Sequence, residues 1–350
     1  HNTVLLSATP TSGVEKNFTF TGADQLQGAF TGAGNWVKNG AGTVVLGANS
    51  TLAGTMTINA GSVIAGGTSQ GGRYRIHDTI SNQASVVLGN ATLNMASNGL
   101  NLTPFERIGS LASGDVNALV NLTGSGSSGV LALGGNNSDT SYVGRIRGSN
   151  TSWLVKEGGG FFDWTNADAS VMDGTIHVAA GEMRVGGAEG LSAGSNVFVS
   201  NTPGAKLVLN TSDSGGETVS FISGGGRGAT RAFVNGVAGS LAGTLIGGTG
   251  GEIEIGVNGL RLTNSSAGAV FSYGGVLTGA GSLDKQGNNA LELLGTNTYA
   301  GRTGVRATAS NTTSVIRMGA YGGSSGVGAP SGMGGFGALP ATTDLEIAAG

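Results

Sequence analysis

Trp36-Val-Lys38-Asn-Gly40-Ala-Gly42-Thr-Val-Val-Leu46, followed by Gly54-Thr-Met-Thr-Ile-Asn-Ala-Gly61, decides the fold, because it recurs. A second copy reads Trp153-Leu-Val-Lys156-Glu-Gly158-Gly-Gly160 and then Gly174-Thr-Ile-His-Val-Ala-Ala-Gly181. A third reads Leu283-Asp-Lys285-Gln-Gly287, then Leu291-Glu-Leu-Leu-Gly295-Thr-Asn-Thr-Tyr-Ala-Gly301 and Thr303-Gly-Val305. The chain has only five lysines, and three of them, Lys38, Lys156 and Lys285, occupy the same place in the block at similar intervals. Repetition at similar spacing is the signature of a solenoid or an array, in which each unit packs on its neighbours and the core grows in one dimension.

Working outward, glycine fills 69 of 350 positions, while charged residues make up only 11%. Five prolines and no Gly-X-Y period exclude collagen. Disorder is excluded too, because runs such as Thr43-Val-Val-Leu46 and Ser85-Val-Val-Leu88 are frequent and the net charge is only −3. Sparse, unclustered basic residues argue against a nucleic-acid partner. No apolar run is long enough to span a membrane as a helix. The absence of cysteine is compatible with either redox compartment. The first residue, His1, is not Met, so an upstream segment is expected to have been removed or to lie outside this piece.

Short alternations such as Met56-Thr-Ile58, Leu131-Ala-Leu133 and Ile253-Glu-Ile255 are strand chemistry of period two. Gly, Asn, Ser and Asp bound them, and Asn-Gly pairs at Asn39, Asn98, Asn235 and Asn258 mark tight turns. The best helical candidate, Pro104-Phe-Glu-Arg-Ile108, is little more than one turn, so helix is negligible. A sandwich, a propeller and a β-solenoid all fit short strands. Turn density, Asn residues at strand ends and the lack of linkers favour the solenoid. Few strands are expected to exceed five residues. About 22 residues per coil gives about 16 coils. The chain is predicted to form one continuous all-β solenoid of three long units, 1–115, 116–245 and 246–350, the third incomplete. The segment 319–337 reads as a Gly-rich loop, with a docking tip through Tyr321, Met333 and Phe336 as its functional alternative.

The third block resembles the β-strand repeat of bacterial autotransporter passenger domains, through Gly281, Leu283, Lys285, Gly287, Leu291, Leu293, Gly295, Asn297, Tyr299, Gly301, Thr303 and Val305. The first block keeps Gly34, Lys38, Gly40, Gly42, Leu46, Gly54 and Gly61, but has Leu52 where Tyr is expected. In the second, Phe161-Phe-Asp-Trp164 replaces the Leu-x-Leu-x-Gly strand. The resemblance implies a right-handed parallel β-helix at the outer surface of a bacterium, serving as rod or stalk and as a folding template during secretion. The C-terminal membrane barrel typical of that family does not appear in this stretch, so it is expected either to lie downstream of Gly350 or to be replaced by another route of secretion.

No constellation points to catalysis. A polysaccharide lyase or hydrolase would need two close carboxylates or an acidic calcium site; Glu252 with Glu254, and Asp163 with Asp168, are the nearest approaches. Three histidines (His1, His77, His177) and no cysteine make a transition-metal site improbable, and His177 falls at a variable position of the block. Arg73, Arg75 and His77 alternate onto one strand face beside Asp78, a candidate contact for glycan, sulfate or carboxylate. The expectation is a non-enzymatic extracellular structural protein, a rod or filament subunit without cofactors. Its expected partners are copies of itself end to end or further repeats of a longer chain. An adhesin binding glycan or host protein is the alternative, and a β-helical carbohydrate-active enzyme the second. The residues expected to define the repeat are Lys38, Gly40, Gly42, Gly54, Gly61, Lys156, Gly158, Gly160, Gly174, Gly181, Lys285, Gly287, Gly295 and Gly301.

Overall fold

The structure is a computed structural model. It describes residues 4–5, 16–19, 23–26, 30–46, 50–65, 79–95, 105–124, 127–165, 171–187, 191–192, 195–200, 202–211, 217–219, 221–224, 226–227, 246–247, 251–263, 270–307, 314–318, 339–340 and 344–348. Among these the chain is a parallel β-solenoid without helix. One face is a nine-stranded ladder from Phe105–Ile108 through Val130–Leu133, Trp153–Lys156, Thr175–Val178 and Asn196–Val199 to Val315–Met318. Nine strands make eight steps from coil to coil. A ten-stranded sheet serves the first half, including Trp36–Asn39, Thr55–Ile64 and Ser85–Asn94, and a six-stranded and a five-stranded ladder continue the other faces.

Alternation sets the core. In each short strand one set of side chains turns inward, as Leu131 and Leu133, Leu154 and Lys156, and Ile176 and Val178 do on successive coils. The register is one-for-one: Trp153 lies opposite Thr175 on the next coil, and Thr175 opposite Asn196 on the coil after that. The inward residues therefore stack in continuous columns of Leu, Ile and Val. Each fully buried aliphatic side chain contributes roughly 2 kcal/mol. Asparagine side chains add to the stacking: Asn59 donates to Asn39 (2.8 Å) and Asn121 to Asn94 (3.0 Å).

The structure refines two details of the sequence reading. Phe105–Ile108 is a strand, not a helical turn; pairing with Val130–Leu133 satisfies its backbone along the whole segment, which a single helical turn cannot do. Thr55–Ile64 and Ser85–Asn94 each run ten residues. Their pairing lapses only at Asn59 and Gly89 and resumes through the corner, where Gly61 is paired with Ala91.

The corners explain the glycine content. At Gly301 a Cβ would lie 2.3 Å from the carbonyl oxygen of Gly281 on the preceding coil; at Gly295 it would lie 1.9 Å from that of Gly275. Gly54 and Gly174 meet Gly34 O and Ser152 O at 2.2 Å in the same way. Backbone rests on backbone where the coils turn, and no side chain fits between them. Ahead of the glycine, two residues earlier, a large side chain closes the core: Leu52, Tyr142, Met172, Tyr273 and Tyr299 are all fully buried. Leu52 thus fills the place of the repeat's tyrosine in the first block. Gly301→Ala is expected to destabilise the rod by about 2 kcal/mol or more in a urea titration, whereas Gly114→Ala, with nothing within 4 Å of the new methyl, leaves the midpoint unchanged.

Candidate functional site

The three block lysines occupy inward positions. Lys38 alternates with Trp36, Lys156 with Leu154 and Lys285 with Leu283, and all three side chains are 0–2% exposed. Each is the last or next-to-last residue of its strand, just before a turn whose glycine is left-handed: Gly40 at φ 78°, Gly158 at φ 67° and Gly287 at φ 87°. That backbone reversal aims carbonyls back toward the core, and the ammonium meets them. Lys38 Nζ donates to Gly40 O (2.7 Å), Asn39 O (3.5 Å) and Ala60 O (2.6 Å). Lys156 Nζ donates to Glu157 O (2.5 Å), Gly158 O (2.9 Å) and Ala180 O (3.4 Å). Lys285 Nζ donates to Gln286 O (2.7 Å), Gly287 O (3.3 Å) and Ser314 Oγ (3.3 Å).

The register is the same in all three blocks. Lys38 lies opposite Ile58, Lys156 opposite Val178 and Lys285 opposite Val305. In the first two blocks the cross-coil acceptor is the carbonyl two residues beyond that partner; in the third it is a serine hydroxyl. Among the described residues none of the three ammonium groups lies within ion-pair distance of a carboxylate. Burial pulls the Lys156 and Lys285 ammonium groups down from 10.5 to about 8, with Asp139 and Glu157 partly opposing the drop at Lys156. Lys38 is lowered by burial as well.

Of the two carboxylate pairs, Glu252 and Glu254 are engaged with a cation from the neighbouring coil. Lys206 bridges Glu252 (3.3 Å) and Glu254 (2.5 Å) from the adjacent coil, and Thr278 donates to Glu252 (2.7 Å). This is an ion cluster on a solvated strand face. Asp163 pairs in register with Arg184, whose guanidinium is ion-paired to Glu182 and stacks 4.3 Å over Phe161; Asp168 lies outside the described residues. His177 sits on the outer side of the nine-stranded face, with Nε2 2.8 Å from Ser200 Oγ and its ring 4.8 Å from that of Phe198. Arg73, Arg75, His77 and Asp78, and the whole of 319–337, lie outside the described residues.

Two features escaped sequence reading. Glu106 is fully buried and accepts from Thr79 N (2.9 Å), Thr79 Oγ1 (2.8 Å) and Ile80 N (2.7 Å), pinning a segment from the coil before. The one signal was a carboxylate alternating with Ile108, but nothing in the sequence names its donor segment. The second is a small apolar cluster of Phe105, Val130, Ala132, Trp153 and Val155, buried on the outer side of the nine-stranded face.

The model of the passenger-associated transport repeat matches residues 37–65 and 283–307, the first and third blocks. The chain carries autotransporter passenger repeats. It is also 25% identical over 294 residues, 83% of its length, to the adhesin BmaC autotransporter of Brucella suis biovar 1 (strain 1330), but spans only 7% of that protein. No solved structure matches the chain. The middle passenger block lies outside the family match, yet its lysine keeps the geometry of the other two.

The lowered lysines fix a sign for pH dependence. Between about 8, where Lys156 and Lys285 titrate in the fold, and 10.5, where an unfolded lysine titrates, the unfolded chain binds more protons. Stability therefore rises with pH from about 8 to about 10. Above about 10 the trend reverses, because the unfolded chain ionises the tyrosines that burial keeps neutral at Tyr142, Tyr273 and Tyr299. Urea titrations are expected to show a gain on the order of 1–2 kcal/mol per lysine from pH 7 to 9.5. Lys156→Met with Lys285→Met should flatten that rise.

Proposed function

We propose that this chain is a non-enzymatic, extracellular rod of a bacterium, part of a surface passenger that carries adhesive elements away from the cell. The observation that carries the reading is the parallel coil-on-coil register of the described ladders, joined to passenger repeats in the first and last parts of the chain. Stacked short strands give a stiff column, and a column suits display at a distance. The coil is right-handed and, extended over the whole chain, counts about sixteen turns in three long units. Leu345–Ala348 stands at the end of the five-stranded ladder, with Thr303–Arg306 on its inner side. Its outer edge is a template for another coil, either the next one of a longer chain or one from a second copy.

The adhesive reading is favoured over a bare filament by the similarity to the Brucella adhesin. Arg73, Arg75, His77 and Asp78 are the residues we assign to contact with an anionic glycan or host protein. The test is display of the chain on a non-adherent bacterium, scored for attachment to immobilised sulfated glycans and matrix proteins. Attachment that Arg73→Ala with Arg75→Ala reduces about tenfold or more supports the assignment. Attachment unaffected by that variant moves the contact elsewhere on the rod, and turnover of a polysaccharide overturns the non-enzymatic reading. In parallel, light scattering over a dilution series is expected to show particles whose length falls with dilution; a fixed monomer at all concentrations excludes joining of copies end to end.

A further inference from the structure

We propose that each of the three lysines is the built-in cation of an oxygen cage that ties the corner of one coil to the next, making the three blocks the tie points of the rod. The cage has the same construction each time: two carbonyls from the turn that follows the lysine, and one oxygen from the next coil. An ammonium carries three hydrogens and no acceptor, so it matches three convergent oxygens. A methionine or leucine of similar length would fill the same core volume but leave the oxygens without their donor.

The middle block separates this role from the rest of the repeat. It has lost the Leu-x-Leu-x-Gly strand to Phe161–Trp164, and it lies outside the family match. Lys156 nevertheless reaches the same three kinds of oxygen as Lys38. The corners also keep room for the ammonium: a Cβ at Gly181 would lie 2.9 Å from Lys156 Nζ, and one at Gly134 on the coil before would lie 3.2 Å from it. The third cage differs in one member, Ser314 Oγ, so the requirement is for an oxygen that accepts, whatever group supplies it. The alternative is that the lysines serve only through their aliphatic stems, packed in the core like any long apolar side chain.

Hydrogen exchange on the full chain distinguishes the two. In Lys156→Met, amides around Gly158–Gly160 and Ala179–Glu182 are expected to exchange about tenfold faster than in the unaltered protein, with distant coils unchanged. In Lys156→Ala, ethylammonium or propylammonium chloride should slow that exchange again, while propanol and sodium chloride at equal concentration should not. Lys285→Met provides an independent site if the middle block fails to fold, with loss of protection expected around Gln286–Gly287 and Val315. Lys206→Met, at the exposed ion cluster, is the control and should leave exchange at all three cages unchanged. Unchanged exchange in both methionine variants, or rescue by propanol as good as by propylammonium, would overturn the cage and leave only the stem.

Discussion

The structure depends on one constraint, that each coil must lie on the last in one-for-one register. Over most of the nine-stranded face, every residue inherits the position of its partner one coil earlier. Strand chemistry alone does not enforce this, because a slip of one residue costs little backbone pairing while turning every side chain to the wrong face. The inward columns of Leu, Ile and Val oppose the slip along the faces. At the corners the opposition comes from glycine, whose missing side chain lets carbonyls of neighbouring coils meet. A corner moved by one residue would place a Cβ into that contact.

Charge is used sparingly and mostly to the same end. With 17 basic and 20 acidic residues in 350, many of the described ion pairs bridge neighbouring coils: Asp284 stands between Arg261 (3.4 Å) and Arg306 (3.5 Å), and Glu292 meets Arg317 (3.3 Å). Exposed pairs of this kind contribute fractions of a kcal/mol each. The buried lysines belong to another regime. Their ammonium groups give up water for backbone dipoles, and the cost shows in their lowered proton affinity. Such a group is tolerated inside only where its donors are met, and the left-handed glycine turns meet them.

Much of the fold was legible in the sequence because it is written three times. Period-two runs bounded by glycine and asparagine gave strands, the spacing of the blocks gave a solenoid, and Asn39 and Asn94 do form cross-coil amide bonds with Asn59 and Asn121. Lys38, Lys156 and Lys285 stood out by position. Their chemistry did not, because a lysine in a strand reads as a solvated residue until the turn beside it is seen to reverse and present oxygen inward. Phe105–Ile108, the best helical candidate in a sequence read as nearly free of helix, is a strand, and four residues are too few to show either period. Glu106 stayed invisible because its acceptor role is fixed by Thr79 and Ile80, a full coil away in the chain.

The ladder also records a detour. Gly224 is paired with Tyr273, a step about twice as long as those on either side of it along that face. Within the interval, Gly226–Arg227 and Ile246–Gly247 run antiparallel, so the outgoing and returning chain are zipped together at the point of departure. Closing the neck in this way keeps the exit and re-entry points adjacent whatever lies beyond them. A scaffold with that property can acquire a side branch by a single genetic insertion, leave the spacing of its remaining storeys untouched, and so evolve its decoration independently of its frame.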